Sequence, residues 1–473
     1  MRAFLKHPAP LRLIVALAAL LLPLIGQAEP TRYDTEYPTI GYGGKAQHNE
    51  IERLQDRLDR GDVKLEFRGV RGYLDSVLKL LDIDPSSQVL VYSKTSLQVD
   101  HISAATPRAI YFNDDTYVAW VQNSQTLELA VMDDNLGPVF YTLHNAPDGS
   151  TTFDRESSRC LTCHDRFAMA GGGVPQFLLD SAVVDTDGIV IGDTTPVETD
   201  DKTPLTQRWG GWYVTGVPDG LKHLGNIQIR RGATTSQHSG GTLRNLDQLL
   251  NTAPYVRGSS DVVALLVLEH QLLIKNLITR LNYKARTWLA SPTAGENPDP
   301  AGNSGPAHGT KSTAMSDDQA YAAASAQTHT RIRGMVEQLV RAMLFTDAVT
   351  YPNPLSGTSG YDKWFASQGP RDAKGRSLRE FDLQTRLFKY PLSYVIYSDA
   401  FDALPSYVKS QVYQRLHAIL SGEDHSAAYS KLTAEQRKSI LDILTATKSD
   451  FAANTRVAGS TPARLAGETP PSS

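Results

Sequence analysis

Short runs of β-branched and aromatic residues dominate the chain between residues 88 and 143. Polar turn sequences such as Asn113-Asp114-Asp115 separate several of these runs, and this combination is typical of strands. The runs cover residues 89–92, 109–112, 117–121, 127–131 and 139–143. We therefore expect an antiparallel meander in this region. Further β-type runs follow at 182–191, where Asp187-Gly188 predicts a hairpin, and at 208–216.

Other parts of the chain have apolar residues at helical spacing. The longest such pattern runs from 261 to 288 and follows Ser260, a residue type favoured at helix N-termini. Further helical patterns cover residues 46–60, 72–81, 317–345, 391–404, 408–420 and 434–447. The expected fold class is α+β, with a β-rich region followed by a mostly helical region.

The changes of pattern along the chain predict five regions. They are a signal peptide at 1–28, a helical lead at 29–84, a β-rich region at 85–245, a helical region at 246–450 and a disordered tail at 451–473. Within the helical region, residues 291–316 are rich in Pro, Gly, Ser and Asn, a composition that predicts a disordered loop.

The first 28 residues have the pattern of a secretory signal peptide. Arg2, Lys6 and Arg12 give a positively charged start, an apolar stretch covers 13–25, and small residues precede Glu29. The stretch is shorter than the roughly 20 residues that a membrane-spanning helix needs. We therefore expect export to the periplasm and no transmembrane span after signal cleavage.

The overall composition of the 473-residue chain is that of a globular protein, with 41% hydrophobic and 21% charged residues. Its formal net charge of -4 provides no basic field that would attract nucleic acid. We therefore expect no nucleic-acid partner.

Both cysteines of the chain fall in one short sequence, Cys160-Leu161-Thr162-Cys163-His164. This C-x-x-C-H pattern is used for covalent attachment of a c-type haem. Each thiol can form a thioether with one vinyl group, and the histidine can then bind the iron. The sequence therefore predicts one covalently bound haem c, attached to Cys160 and Cys163, with His164 as the proximal iron ligand.

Other interpretations of the cysteine pair have weaker support. A redox dithiol also uses C-x-x-C, whereas a zinc site would need a second ligand pair that the chain lacks. A disulfide that closes so short a loop would be strained and would add little stability. Export agrees with haem attachment, which in bacterial c-type cytochromes takes place outside the cytoplasm.

The second axial position of the iron decides what such a haem does. A strong ligand there limits the haem to electron transfer, whereas an open position can bind peroxide, oxygen, nitric oxide or carbon monoxide. The expected distal ligand is His223, in a glycine-flanked loop, or His270, on the apolar face of the long helix. A methionine, His144 or an open position are the alternatives. The methionines considered are Met132, Met169, Met335 and Met343.

Some further residues can serve either a haem pocket or ordinary packing. Aromatic residues of the meander can line the pocket or fill the core, and they are Tyr111, Phe112, Trp120, Phe140 and Tyr141. Arg208 and the basic stretch 371–376 can neutralise propionates or lie at the surface. No Ser-His-Asp set can be argued from sequence spacing.

The Cys160 to His164 motif resembles that of the c-type cytochromes. The resemblance implies covalent haem c, His164 as axial ligand and electron transfer in the periplasm. A small cytochrome c is a helical domain of roughly a hundred residues, whereas this motif lies in β-rich sequence. No methionine-bearing loop follows at the usual position, so the resemblance implies neither that fold nor the distal ligand.

Longer segments are similar to those of a family of large, exported bacterial proteins described as cytochrome c domain-containing. The segments cover 93–98, 109–114, 208–213 and 375–379, and the similarity extends from about residue 87 to about residue 444. It implies haem binding but no particular reaction.

The function that the sequence favours is one-electron transfer by a periplasmic monohaem protein, together with a periplasmic redox partner. One alternative is a haem enzyme or gas sensor with an open distal site, for example peroxidase-like. The single C-x-x-C-H motif argues against a dihaem peroxidase. A further alternative is a binding or scaffold protein in which the haem is structural.

Overall fold

A computed structural model of the chain describes residues 35, 37–147, 151–165, 173–191, 195–230, 240–290 and 316–458. Its architecture is α+β, which confirms the predicted fold class. The predicted signal peptide at 1–28, residues 291–315 of the predicted loop, and Met169 lie outside the described residues. These predictions stay predictions.

Seven strands form one antiparallel sheet. They are β1 Val89–Val91, β2 Arg108–Phe112, β3 Thr116–Trp120, β4 Thr126–Asp133, β5 Gly137–His144, β6 Phe153–Arg155 and β9 Trp212–Tyr213. Their order is β6-β5-β4-β3-β2-β1-β9, so the predicted meander from 89 to 143 is confirmed. The run at 208–216 contributes only β9, because Trp209 and Gly211 have left-handed backbone conformations, with φ of 66° and 78°.

Two short ladders lie outside this sheet. One pairs β7 Asp180–Ser181 with β8 Val197–Glu198, and the other pairs β10 Lys222–His223 with β11 Gly240–Gly241. The hairpin expected at 182–191 also forms, because the N–H of Asp185 donates to the carbonyl of Ile189 at 2.9 Å.

Helices flank the sheet and make up the C-terminal region. They are α1 Glu50–Asp59, α2 Leu74–Leu80, α3 Leu161–His164, α4 Val262–Ala290, α5 Asp317–Ala322, α6 Ala326–Met343, α7 Tyr361–Ser367, α8 Asp399–Asp402, α9 Ser406–Ser421, α10 Ala434–Thr447 and α11 Ser449–Ala458. The predicted helix at 391–404 is instead a 3-10 turn, Tyr394–Tyr397, followed by α8. The two are separate because the Ser398 side chain caps α8 by accepting from the N–H of Phe401.

The prediction that the tail is disordered from residue 451 is wrong for its first residues, which belong to α11. Phe451 is fully buried and its ring packs edge-on against Tyr413, with 5.4 Å between the centroids. Burial of this one aromatic ring attaches the segment to α9.

The core lies on both faces of the sheet because strand residues alternate between them. One face packs on α1 and α2, through residues such as Leu54 and Leu74. The opposite face packs on α4, and that core continues through the C-terminal helices as far as Phe451. The same core therefore extends across the boundary placed at residue 245.

Helix α4 positions the site described below. Among the described residues it is the helix that is long and apolar enough to cross a membrane, and 83% of its most apolar 18-residue window is buried within the protein. A helix that is apolar all round is also what a protein core requires. Gly137 allows α4 to approach β5 closely: its φ is 69°, and a Cβ there would overlap the side chain of Thr279.

Candidate functional site

The C-x-x-C-H motif occupies a single turn of helix, α3. The backbone N–H groups of Cys163 and His164 donate to the carbonyl oxygen of Cys160, at 3.1 and 3.0 Å. Cys160 is partly buried, Cys163 is exposed, and neither is in a disulfide. The turn brings both thiols and the imidazole of His164 to the wall of one cavity.

That cavity, called the sheet cavity below, has a volume of about 460 Å³, which is in the range of cofactor sites. One wall consists of alternate residues of β2 to β5: Arg108, Ile110, Tyr117, Ala119, Glu128, Ala130, Phe140 and Thr142. Ala119 and Ala130, on neighbouring strands, keep large side chains away from the middle of this wall. Leu268 and Leu272 of α4, Trp212, residues 94–97 and Val99 border the remaining sides.

The imidazole of His164 has a defined orientation. Its Nδ1 lies 2.7 Å from the backbone carbonyl oxygen of Gln176, and the backbone N–H of Gln176 donates to the carbonyl of His164 at 2.9 Å. A carbonyl oxygen only accepts, so Nδ1 carries the proton and Nε2 carries the lone pair. The ring of Phe140 lies 4.4 Å from the imidazole, centroid to centroid. The tautomer with its proton on Nδ1 is the one that a histidine needs to bind a metal through Nε2.

Helix α4 holds the segment that orients His164. The side chain of Asn276 accepts from the N–H of Phe177 at 2.9 Å and donates to the carbonyl of Phe177 at 2.8 Å. Phe177 directly follows Gln176 and itself lines the sheet cavity. The histidine is thus tied to α4 through two consecutive residues.

Charged residues lie on one part of the cavity wall. Arg108 and Glu128 form an ion pair at 3.3 Å, with side chains that are 15% and 16% exposed. Glu128 also accepts from the backbone N–H of Leu97 at 3.1 Å, which attaches the 94–99 segment to the sheet. The Nε of Arg108 is buried and has no hydrogen-bond partner among the described residues.

Lys94 and Arg159 are further cations on the wall of the sheet cavity. Arg159 is mostly exposed, with 62% of its side chain accessible, and pairs loosely with Glu156 at 3.9 Å. These side chains give the cavity cationic groups at its border, whereas its centre is apolar.

Burial raises the pKa of the Cys160 thiol to about 12, and the nearby carboxylates of Glu156 and Glu128 act in the same direction. Redox dithiols of the thioredoxin type depend on a thiol whose pKa is lowered. The environment of Cys160 therefore differs from that of a redox-active C-x-x-C.

A pair of carboxyl groups lies near the same cavity. Asp180 lines the cavity and is paired across the β7–β8 ladder with Glu198, a position that brings side chains of the two residues close together. Burial, then repulsion from Asp180 and Asp200, raises the pKa of Glu198 to about 7.

His223 lies in β10 rather than in a loop, and it does not line the sheet cavity. Its Nδ1 accepts from the backbone N–H of Gly225 at 2.9 Å, so the ring lone pair is already used. Burial lowers the pKa of His223 to about 4. The ring packs edge-to-face with Trp209, 5.0 Å between centroids.

His270 is fully buried on α4 and is held at both ring nitrogens. Nδ1 lies 2.7 Å from Oδ2 of Asp201, and Nε2 lies 2.8 Å from Oγ of Ser393. This Ser-His-Asp chain could not be predicted from sequence spacing, because Asp201 and Ser393 are 69 and 123 residues away from His270. Ser393 and His270 are both 0% exposed and do not line the sheet cavity. The three residues therefore join separate core segments, and His270 is not placed to bind a cavity ligand.

The other candidate ligands within the described residues also lie away from the sheet cavity. Met132 and Met343 are buried core residues, and Met335 packs against the same core. His144 is exposed at the end of β5. None of these four is among the residues that line the sheet cavity.

The structure divides the aromatic residues of the meander between the cavity and the core. Phe140 borders the sheet cavity, and so does Tyr141, but the Tyr141 side chain packs in the core on the opposite face, where its hydroxyl donates to Glu52. Tyr111 and Trp120 pack in the core on the opposite face, and Phe112 packs in the core beneath α4.

The basic residues proposed from sequence for propionates are used elsewhere. Arg208 is 2% exposed and pairs with the buried Glu269 at 2.6 Å. Arg376 pairs with Asp372 and Asp442, and Arg371 donates to backbone carbonyls of Ala366 and Gly375. Arg108, which sequence reasoning missed, occupies the cavity instead. The available signal was a charged residue at the start of an apolar strand run.

Comparison of the chain with protein-family models, curated proteins and solved structures found no match. Among the described residues, no group of three or more His, Cys, Asp or Glu side chains is arranged to hold a metal ion directly. A haem iron takes only one or two ligands from the protein, so the motif has to be judged by its own geometry.

Proposed function

We propose that this chain is an exported c-type haem protein that carries one covalently bound haem and transfers single electrons. One observation carries the proposal: Cys160, Cys163 and His164 border the same cavity, and the carbonyl of Gln176 holds His164 in the tautomer with its lone pair on Nε2. The C-x-x-C-H sequence supplies the corresponding chemistry.

The residues of the sheet cavity suit a haem in size and chemistry. The apolar side chains of Ala119, Ala130, Leu268 and Leu272 line the cavity and provide apolar contact for a planar ring. The buried Nε–H of Arg108 suits a carboxylate acceptor.

Cys160 and Cys163 would attach the group. Each thiol would add across one vinyl group, with formation of a C–S bond and transfer of the thiol hydrogen to the neighbouring carbon. The step consumes no oxidant or reductant. Bound haem supplies a reversible one-electron change at its iron.

The protein's own residues would set the properties of that iron. His164 would donate its Nε2 lone pair to the iron, and the hydrogen bond from Nδ1 to Gln176 would make the imidazole a stronger donor. Phe140, Phe177 and Leu272 give the cavity apolar lining, and the Phe140 ring lies against His164. A less polar environment favours the iron state of lower net charge.

The proposal is tested with protein recovered from the periplasm and separated on denaturing gels stained for haem. The wild type and Thr162→Ala should stain, because Thr162 lies between the cysteines and is exposed. Cys160→Ala combined with Cys163→Ala should not stain. His164→Ala should keep the stain but change the visible spectrum. Mass analysis that finds the mature wild type without haem would defeat the proposal.

A second candidate function is reversible binding of small ligands at the iron. It is favoured because, among the described residues, His164 is the only histidine that lines the sheet cavity, and no described methionine does so. Carbon monoxide added to the reduced protein separates the two functions. An unchanged spectrum supports electron transfer alone, whereas a carbon monoxide adduct supports ligand binding.

A further inference from the structure

Arg108 stands out among the charged residues of the sheet cavity. It begins β2, lines the cavity and is 15% exposed. A guanidinium has five N–H donors in a planar fork. One Nη of Arg108 reaches Glu128 at 3.3 Å, whereas the Nε–H is buried and has no partner among the described residues.

Such an arrangement is costly unless an acceptor completes it. A buried donor without a partner loses its hydrogen bonds to water without replacement, and the loss is larger when the donor belongs to a charged group. Glu128 cannot fully compensate, because one of its oxygens accepts from the N–H of Leu97 and the other is 3.3 Å from Arg108.

The chemistry of the missing acceptor follows from the donor. A guanidinium that retains an unused Nε–H prefers a carboxylate, which can take two parallel hydrogen bonds from Nε and Nη. Helix α3, which carries the C-x-x-C-H motif, packs near β5 through the contact of His164 with Phe140. Arg108 lies on β2, and β3 and β4 separate β2 from β5. The wall between these two points is the apolar surface at Ala119 and Ala130.

We propose that Arg108 binds a carboxylate of the molecule that occupies the sheet cavity, and that this carboxylate is a haem propionate. The inference rests on the proposed function and adds to it the residue that fixes the second end of the haem. Arg108 thereby keeps that propionate ionised and stabilises the more negative, reduced state of the haem.

The test compares Arg108→Gln with Arg159→Gln, by reduction potential measured between pH 5 and pH 9. Both variants lose one cation from the same cavity, but Arg159 is exposed and only loosely paired. Both should retain covalent haem. Arg108→Gln should lower the potential more than Arg159→Gln does, and it should add a pH-dependent step, because a propionate without its guanidinium titrates closer to neutral pH.

Arg108→Gln leaves Glu128 without its ion-pair partner, so the single variant can fail to fold. Arg108→Gln combined with Glu128→Gln keeps the pair neutral, and it should show the same added pH step. If the Arg108 and Arg159 variants have the same potential and the same pH profile, Arg108 does not bind a propionate. A wild type without haem would instead defeat the proposed function itself.

Discussion

The side-chain amide of Asn276 pairs with the backbone of Phe177 as a neighbouring strand would, through hydrogen bonds of 2.9 and 2.8 Å. The preceding residue, Gln176, holds His164 by two further hydrogen bonds. The position of the motif histidine is therefore set by a residue more than a hundred positions later, on the central helix α4.

Asn276→Leu should both destabilise the protein and make the orientation of the His164 imidazole less well defined. Loss of both hydrogen bonds leaves the N–H and carbonyl of Phe177 without partners, at an expected cost of about 1–3 kcal/mol in the free energy of unfolding. Asn276→Asp keeps the acceptor and loses the donor, so its cost should be intermediate. Urea unfolding measures the first effect, and the visible spectrum of the haem-loaded protein measures the second. A destabilised Asn276→Leu protein with an unchanged spectrum would show that His164 does not depend on this tie.

Ala119→Leu should reduce the haem content of the protein without unfolding it. The larger side chain would project from the flat wall into the sheet cavity, whose volume is about 460 Å³. Ala119→Ser adds one small atom and should load normally. The ratio of haem to protein in purified material gives the result, and far-ultraviolet circular dichroism monitors the fold. Normal haem content in Ala119→Leu would place the haem elsewhere.

His270→Gln should lower stability and leave the haem spectrum unchanged. His270 bonds Asp201 and Ser393 within the core, so disruption of both contacts should cost about 2–4 kcal/mol. His223→Gln should likewise leave the spectrum unchanged, because Nδ1 of His223 is bonded to Gly225. Conversion of a low-spin spectrum to a high-spin spectrum in either variant would identify that histidine as an iron ligand after all.

Glu198→Gln should make stability less dependent on pH. The folded pKa of Glu198 is about 7, whereas an unfolded glutamate titrates near pH ~4.3. Between these two pKa values the folded state binds a proton on Glu198 that the unfolded state has lost. The contribution of this proton to stability is present at low pH and is lost as the pH rises through about 7. At pH 8 the variant should be more stable than the wild type, because it lacks the unfavourably placed charge of Glu198. The difference should be on the order of 1 kcal/mol, since solvent screens this partly exposed group.

Urea unfolding at pH 5 and pH 8 measures this difference. Glu66→Gln, at a side chain that is 61% exposed, is the matched control. Equal pH profiles for the wild type and Glu198→Gln would contradict the raised pKa.

Local sequence patterns predicted the strands of the meander and most of the long helices correctly. Short runs of β-branched and aromatic residues located β1 to β5 closely, and polar turns between several of these runs marked where strands end. The tail helix α11 was missed because a short polar segment becomes helical only when one residue, Phe451, finds a tertiary contact.

The site was predictable only as far as its contiguous motif. Cys160, Cys163 and His164 are adjacent in the chain, so their spacing carries the signal. Arg108, Gln176 and Asn276 come from three separate segments, and only the fold brings them to the sheet cavity. His270 shows the opposite kind of error. It was considered as an iron ligand because its hydrogen-bond partners, Asp201 and Ser393, cannot be identified from sequence alone.

The chain order of the cavity walls has a consequence for assembly. The strands and the cysteine-bearing turn precede Leu268 and Leu272 in the chain, although all of them line the same cavity. Before α4 docks, the cavity lacks the wall that Leu268 and Leu272 supply, and a haem would meet the two thiols from that open side. The enzymes that attach haem would have access to the thiols at this stage. A haem attached then would form part of the surface on which α4 packs.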